Sequence, residues 1–225
     1  MSELNWFPLF FSLKVASLAT LIGTIVGLPI AYFLSKSRNR LSDLADTLLT
    51  LPVVLPPTVL GYYLLVALGR QSWIGRLLEE HFGIMLVFTP AGAVIAASIV
   101  SVPFLLKSAR SAFSEIDRNV IHAASLLGRS EWSVFFSVVL PLAWRGVMSG
   151  IILAFARALG DFGTTLMVSG SIPGETLTMP IAIYDAMQAG NEEMTFMLVL
   201  IMTLVAFMLL FLLNRLEKRM GRRYF

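Results

Sequence analysis

Ser114–Leu142 reads SEIDRNVIHAASLLGRSEWSVFFSVVLPL, a polar insert in a chain otherwise dominated by long apolar runs. An apolar run needs no special chemistry to sit in a bilayer, whereas a polar insert has to face water and whatever acts there. Within it, Arg118–Leu127 can form about three helical turns, with Val120, Ala123, Ala124 and Leu127 towards one side. Alanines at the centre of such a helix let another backbone approach closely. Gly128 can take the left-handed conformation that ends a helix and turns the chain towards the next apolar run. Leu140-Pro141 follows after a fixed gap. Nothing in these residues performs hydrolysis. They are suited either to pass on motion by packing or to lie as a short amphipathic helix on a membrane surface.

The surroundings decide what kind of protein carries this insert. Of 225 residues, 57% are hydrophobic and only 14% charged, and the mean hydropathy is +0.80. A soluble domain would carry about a quarter charged residues. Several runs approach the roughly 20 residues that cross a bilayer core, so the chain reads as an all-α polytopic membrane protein. A membrane β-barrel is excluded because the apolar runs are continuous rather than alternating. Without cysteine there is no disulfide, thiolate metal site or cysteine nucleophile. The net charge of +3 does not point to nucleic acid, because the basic residues stand beside the spans. The first run is too long for the apolar part of a cleavable signal peptide.

Five spans are expected, at about 7–34, 44–68, 85–106, 132–159 and 194–213, forming one transmembrane domain over 1–225. Basic residues mark the cytoplasmic connections. Lys36, Arg38 and Arg40 follow the first span, and Lys107, Arg110, Arg118 and Arg129 follow the third. Arg215, Lys218, Arg219, Arg222 and Arg223 follow the last, whereas no basic residue lies between Arg157 and Arg215. This places the N-terminus outside, the C-terminus in the cytoplasm and the insert 114–131 on the cytoplasmic side. The connections are too short for a soluble domain.

Two regions are irregular. LPVVLPPTVLGYY, Leu51–Tyr63, carries Pro52, Pro56 and Pro57 inside an apolar run. Each proline removes a backbone donor and crowds the preceding turn. The result is either a static kink or a bend lining a gated pathway, which Thr58 and Gly61 would suit. Beyond the fourth span, ALGDFGTTLMVSGSIPGETLTMPIAIYDAMQAG is too polar and glycine-rich to cross again, and its short apolar piece near 179–187 suits an interfacial or buried position. Arg157 and Asp161 stand four apart and share a helix face. A lone charge at bilayer depth costs roughly 2.5–3.5 kcal/mol on insertion scales, so the two should pair. They form either a neutral staple between helices or one wall of a polar path with Thr164, Thr165 and Ser169 as donors. Lys14 can snorkel to the outer interface, and Trp6, Trp73, Trp132 and Trp144 fall near span ends as interfacial anchors.

Enzymatic readings fare poorly. Ala158-Leu159-Gly160-Asp161 and Tyr184-Asp185 approach the motifs of intramembrane aspartyl proteases, in which paired carboxylates share a proton. The first glycine is missing, however, and the two motifs come in the reverse order. No residue is assigned a catalytic role, and no metal site is expected. A secondary transporter would show internal repeats with matching broken helices, and none is visible.

The spacing in the insert resembles the cytoplasmic loop of importer-type ABC permeases, E-A-A-x3-G-x9-I-x-L-P. Ala123, Ala124, Gly128, Leu140 and Pro141 agree, while His122 replaces the family's Glu and Val138 its Ile. Leu51–Tyr62, Leu153–Gly163 and Ser171–Tyr184 resemble the oxyanion branch, and Ile172–Thr176 is more similar to molybdate than to sulfate permeases. The resemblance implies the type I ABC importer permease (MetI-like) fold in the cell membrane and a second copy of the chain around a twofold path. It also implies two ATP-binding cassette subunits and an external molybdate- or tungstate-binding protein. Arg118, His122, Ala123, Ala124, Gly128, Leu140 and Pro141 would then form the grip for the ATPases. Pro56, Pro57, Thr58, Arg157, Asp161, Thr164, Thr165 and Ser169 are the candidate pathway residues. ATP and magnesium would be used by the partner ATPase, with no cofactor on this chain. Sulfate or thiosulfate is the alternative cargo.

Overall fold

In the computed structural model, residues 5–37 and 39–221 are described, with side chains to 217. Arg38, Arg222 and Arg223, and the side chains of Lys218 and Arg219, lie outside the described residues. The described chain is helical throughout, without strands. In order it runs α1 (Phe7–Lys36), α2 (Arg40–Val54), α3 (Pro57–Leu68), α4 (Trp73–Phe82), α5 (Pro90–Ser114) and α6 (Arg118–Leu126). There follow α7 (Glu131–Val134), a π-helical turn (Phe135–Val139), α8 (Leu140–Leu142), α9 (Trp144–Leu159), α10 (Gly163–Ser169), α11 (Met179–Gln188) and α12 (Glu192–Gly221).

Three helices, α1, α5 and α12, are long and apolar enough to cross a membrane, and two bent pairs bring the number to five. The pairs differ from the continuous spans expected at 44–68 and 132–159. Between α2 and α3 the axis turns by 115°. A proline pushes the residue before it out of the α region, and Leu55 (ψ 136°) and Pro56 (ψ 137°) are both extended. Pro57 then starts α3, where its missing N–H is not needed. Pro52 stays inside α2. The second bend, 81°, falls at Ala143. Ahead of it the ladder widens, with Leu140 N–H bonding Phe135 O, five residues back. Such π turns and the proline that follows, Pro141, are established causes of kinks.

The bundle is built on α1, α5 and α9, brought close by small residues. A Cβ on Gly23 would stand 2.9 Å from Val102 Cγ2, and one on Gly146 only 2.4 Å from Ala112 Cβ. The Ser108 hydroxyl donates across that contact to Gly146 O at 2.8 Å. At one end the core consists of Tyr32, Phe113, Phe135, Val139 and Val147. At the other, Phe11, Val15, Ala93, Ala97 and Ala158 pack together. Because α5 and α9 run between these clusters, α6 and α10 sit at opposite ends. Only 6% of the apolar window of α12 is buried, so this helix is an outer one.

Candidate functional sites at the two ends of the bundle

The insert forms a short, exposed helix. Asp117 opens α6 by accepting from Asn119 N–H at 2.9 Å. Gly128 closes it with φ +76°, its N–H donating to Ser125 O at 3.0 Å. Space around Gly128 is open, so its backbone conformation, not crowding, is what calls for glycine. None of the helix is fully buried. Ile121 and Ala124 pack against the aromatic end of the core beside Ile116, Val138 and Leu140. Val120, Ala123, Leu126 and Leu127 are exposed, as are Arg118 and His122 on the flank towards α1 and α5, and Leu126 and Leu127 are 88% and 81% exposed.

The expected single face of Val120, Ala123, Ala124 and Leu127 is therefore divided. Ala124 turns inwards with Ile121, three residues before it on the same face of the helix. Sequence reasoning missed Ile121 as the anchor and Leu126 as part of the outer surface, although the three-residue spacing of 121 and 124 carries the signal. Leu140 and Pro141 are half-buried, and Leu140 packs in the same cluster as Ile121 and Ala124.

At the opposite end, Arg157 and Asp161 pair at 3.2 Å, with the Asp161 side chain 1% exposed and that of Arg157 28%. Asp161 Oδ1 accepts from Arg157. Its Oδ2 accepts from both the backbone N–H and the hydroxyl of Thr165, at 3.0 and 2.7 Å. One carboxylate thus joins the last turn of α9 to the first turn of α10, in the manner of a helix cap. Thr164 donates its hydroxyl to Pro57 O at 3.3 Å, tying α10 to α3. Gly61 of α3 comes so close that a Cβ there would meet Met167 Cβ at 2.6 Å.

The structure accordingly brings Arg157, Asp161, Thr164, Thr165, Ser169 and Pro57 into one corner. It does not present the three hydroxyls as free donors. Ser169 donates to Thr165 O at 2.8 Å, and all three side chains are buried with their protons given to protein acceptors. Charge in a polar-poor interior is retained where it is satisfied, and that is the pattern of the staple reading. Pro56, just before α3, and Pro57 and Thr58 in its first turn are exposed.

Asp185 takes a hydrogen bond from Ser171 at 2.6 Å, so Asp161 and Asp185 have separate donors and form no shared-proton pair. Among the described residues, no group of three or more His, Asp or Glu side chains could hold a metal ion.

Residues 19–222 match the family described as "Binding-protein-dependent transport system inner membrane component". The chain is 42% identical over 193 residues to the "Molybdenum transport system permease protein ModB" of Escherichia coli (strain K12), covering 86% of this chain and 84% of that one. The protein of the same description from Azotobacter vinelandii is 39% identical over 214 residues, covering 95% and 94%. Among solved structures, the fold is similar to inward-facing MetNI, a methionine ABC transporter, with a TM-score of 0.75 at 16% identity over 98% of this chain and 99% of that one.

Proposed function

The chain belongs to the family of binding-protein-dependent transport system inner membrane components, and from that premise we propose that it is the membrane subunit of an ATP-driven molybdate importer. The observation that carries this reading is the identity of 38–43% to molybdenum permeases over most of the chain. The chain retains the loop spacing that ends in Leu140-Pro141.

In this reading the N-terminus is outside and the C-terminus cytoplasmic, two copies surround a path, and two ATPase subunits seat on α6. The outward Leu126 and Leu127, with Val120 and Ala123, support such a seat, because apolar surface exposed on a helix tip is stabilised when a partner covers it. ATP and magnesium act on the partner ATPase. Its closure moves the paired α6 helices and turns the path outward, and hydrolysis resets it. His122 stands where an acid would make an ionic contact, so this seat relies on packing more than on charge. An external binding protein delivers the anion, and tungstate, of like charge and size, is carried as well. Pro56, Pro57 and Thr58 line the path, while the Arg157–Asp161 pair positions α10 beside it.

The test is uptake of labelled molybdate, tungstate and sulfate into proteoliposomes holding this chain, its ATPase and its binding protein. ATP-dependent accumulation of molybdate and tungstate over sulfate is expected. Preference for sulfate, or accumulation without ATP, overturns the reading.

A further inference from the structure

A cavity of about 570 Å³ opens between the C-terminal turns of α1 and α5 and the inner flank of α6. Among the described residues its walls carry the permanent cations Lys36, Arg110 and Arg118, together with His122, against one acid, Glu131. The acid does little to neutralise them. Lys36 and Glu131 stand 3.8 Å apart with the Glu131 side chain 78% exposed, and exposed pairs of this kind are weak. Arg110 gives one N–H to Asp46 and keeps further donors of its guanidinium. Arg118 and His122 are four apart on α6 and share one flank of the helix.

Tyr32 supplies a second, independent observation. It also lines the cavity, is 4% exposed, and its hydroxyl finds no partner among the described residues. Buried polar groups are rarely left unpaired. Its ring is held by Phe113 and Phe135 at 5.8 and 4.8 Å, and the Lys36 ammonium lies over it at 4.1 Å. Tyr32 thus brings an unpartnered, buried hydroxyl to this wall, with the Lys36 ammonium over its ring. We propose that this cavity binds a multiply charged oxyanion, either a free tetrahedral anion or the phosphate of an anionic lipid headgroup, held between Lys36, Arg110, Arg118 and the Tyr32 hydroxyl. The bound anion bridges α6 to α1 and α5 and so fastens the insert helix to the bundle.

The test takes the purified full chain in nanodiscs of phosphatidylcholine alone and titrates it calorimetrically with molybdate, sulfate and inorganic phosphate. In parallel, native mass spectrometry scores retained lipid from nanodiscs containing phosphatidylglycerol. Loss of a charged hydrogen bond in Lys36→Gln should weaken binding about tenfold, and Tyr32→Phe about threefold. Tyr32→Phe keeps the ring packing, so it remains informative if Lys36→Gln folds poorly. Free-anion binding weakened by these variants supports the site with a soluble ligand. Phosphatidylglycerol retained by the parent and lost from the variants supports it with a lipid ligand. Absence of both, or binding that neither variant changes, overturns it. Occupancy is read without transport, so the result stands apart from the importer reading.

Discussion

The α6 tip and the α9–α10 corner are both polar interruptions of an apolar bundle, yet they resolve their polarity in opposite ways. At the corner every named hydroxyl, both Asp161 oxygens and one Arg157 donor find partners within the chain. At the tip the side chains of Arg118, His122, Leu126 and Leu127 are exposed, and only Ile121 and Ala124 hold the helix to the core. The corner is complete in a single copy. The tip leaves Leu126 and Leu127 exposed, and in the proposed function a docking partner covers them. Damage to the corner should thus appear as lost stability, and damage to the tip as lost transport.

The sharpest way to break this contrast is Asp161→Ala. It leaves Arg157 without its partner and α10 without its cap, and removal of one partner from a buried pair costs about 3–5 kcal/mol. Thermal unfolding in detergent should show a large loss, and a variant as stable as the parent with only its uptake impaired would remove the corner from the structural side of the comparison. Leu126→Asp, at the tip, should do the reverse. Its melting temperature should stay near that of the parent while ATP-dependent uptake falls tenfold or more, equivalent to about 1.4 kcal/mol of lost coupling. Normal uptake would show that nothing docks there.

Gly128→Ala tests the link between the two kinds of effect. An L-residue at φ +76° costs about 1 kcal/mol, with no clash to add, so a modest uptake defect and a small drop in stability are expected together. Gly128→Asn, which tolerates the left-handed region better, should recover most of both. Smallest is Ser169→Ala at the corner. It deletes one internal hydrogen bond, worth about 1 kcal/mol, and should shift unfolding slightly and uptake hardly at all.

Hydropathy was enough to place α1, α5 and α12, because their apolar runs are long and the single internal prolines of α1 and α5, Pro29 and Pro103, do not interrupt them. It identified the insert for the converse reason. The 115° turn at Leu55–Pro56 was legible as irregularity, since two consecutive prolines cannot continue a helix. Its size was not legible, because the direction in which α3 leaves depends on tertiary packing such as the close approach of Gly61 to Met167. The break at Ala143 left little trace, for Ala143 and Trp144 are both tolerable in helices and the cause lies upstream in the widened turn before Pro141. At the corner, spacing found Arg157 and Asp161, but the direction of three hydroxyl protons depends on rotamers that no spacing encodes. At the tip, periodicity alone could not choose between Ala123 and Ala124, and the choice fell to the packing of Ile121.

The joint between α2 and α3 has a mechanical consequence. The last ladder bond of α2, Leu55 N–H to Leu51 O, and the first of α3, Leu60 N–H to Pro56 O, lie on either side of it. Two imide nitrogens occupy the gap, so there is no donor whose bond would have to break when the angle changes. An ordinary helix resists flexing because each degree of bend stretches its own scaffold. Here no such ladder bond spans the joint, and the angle between the two arms is held from outside, by the Thr164 hydroxyl on Pro57 O and by the packing of Gly61 against Met167.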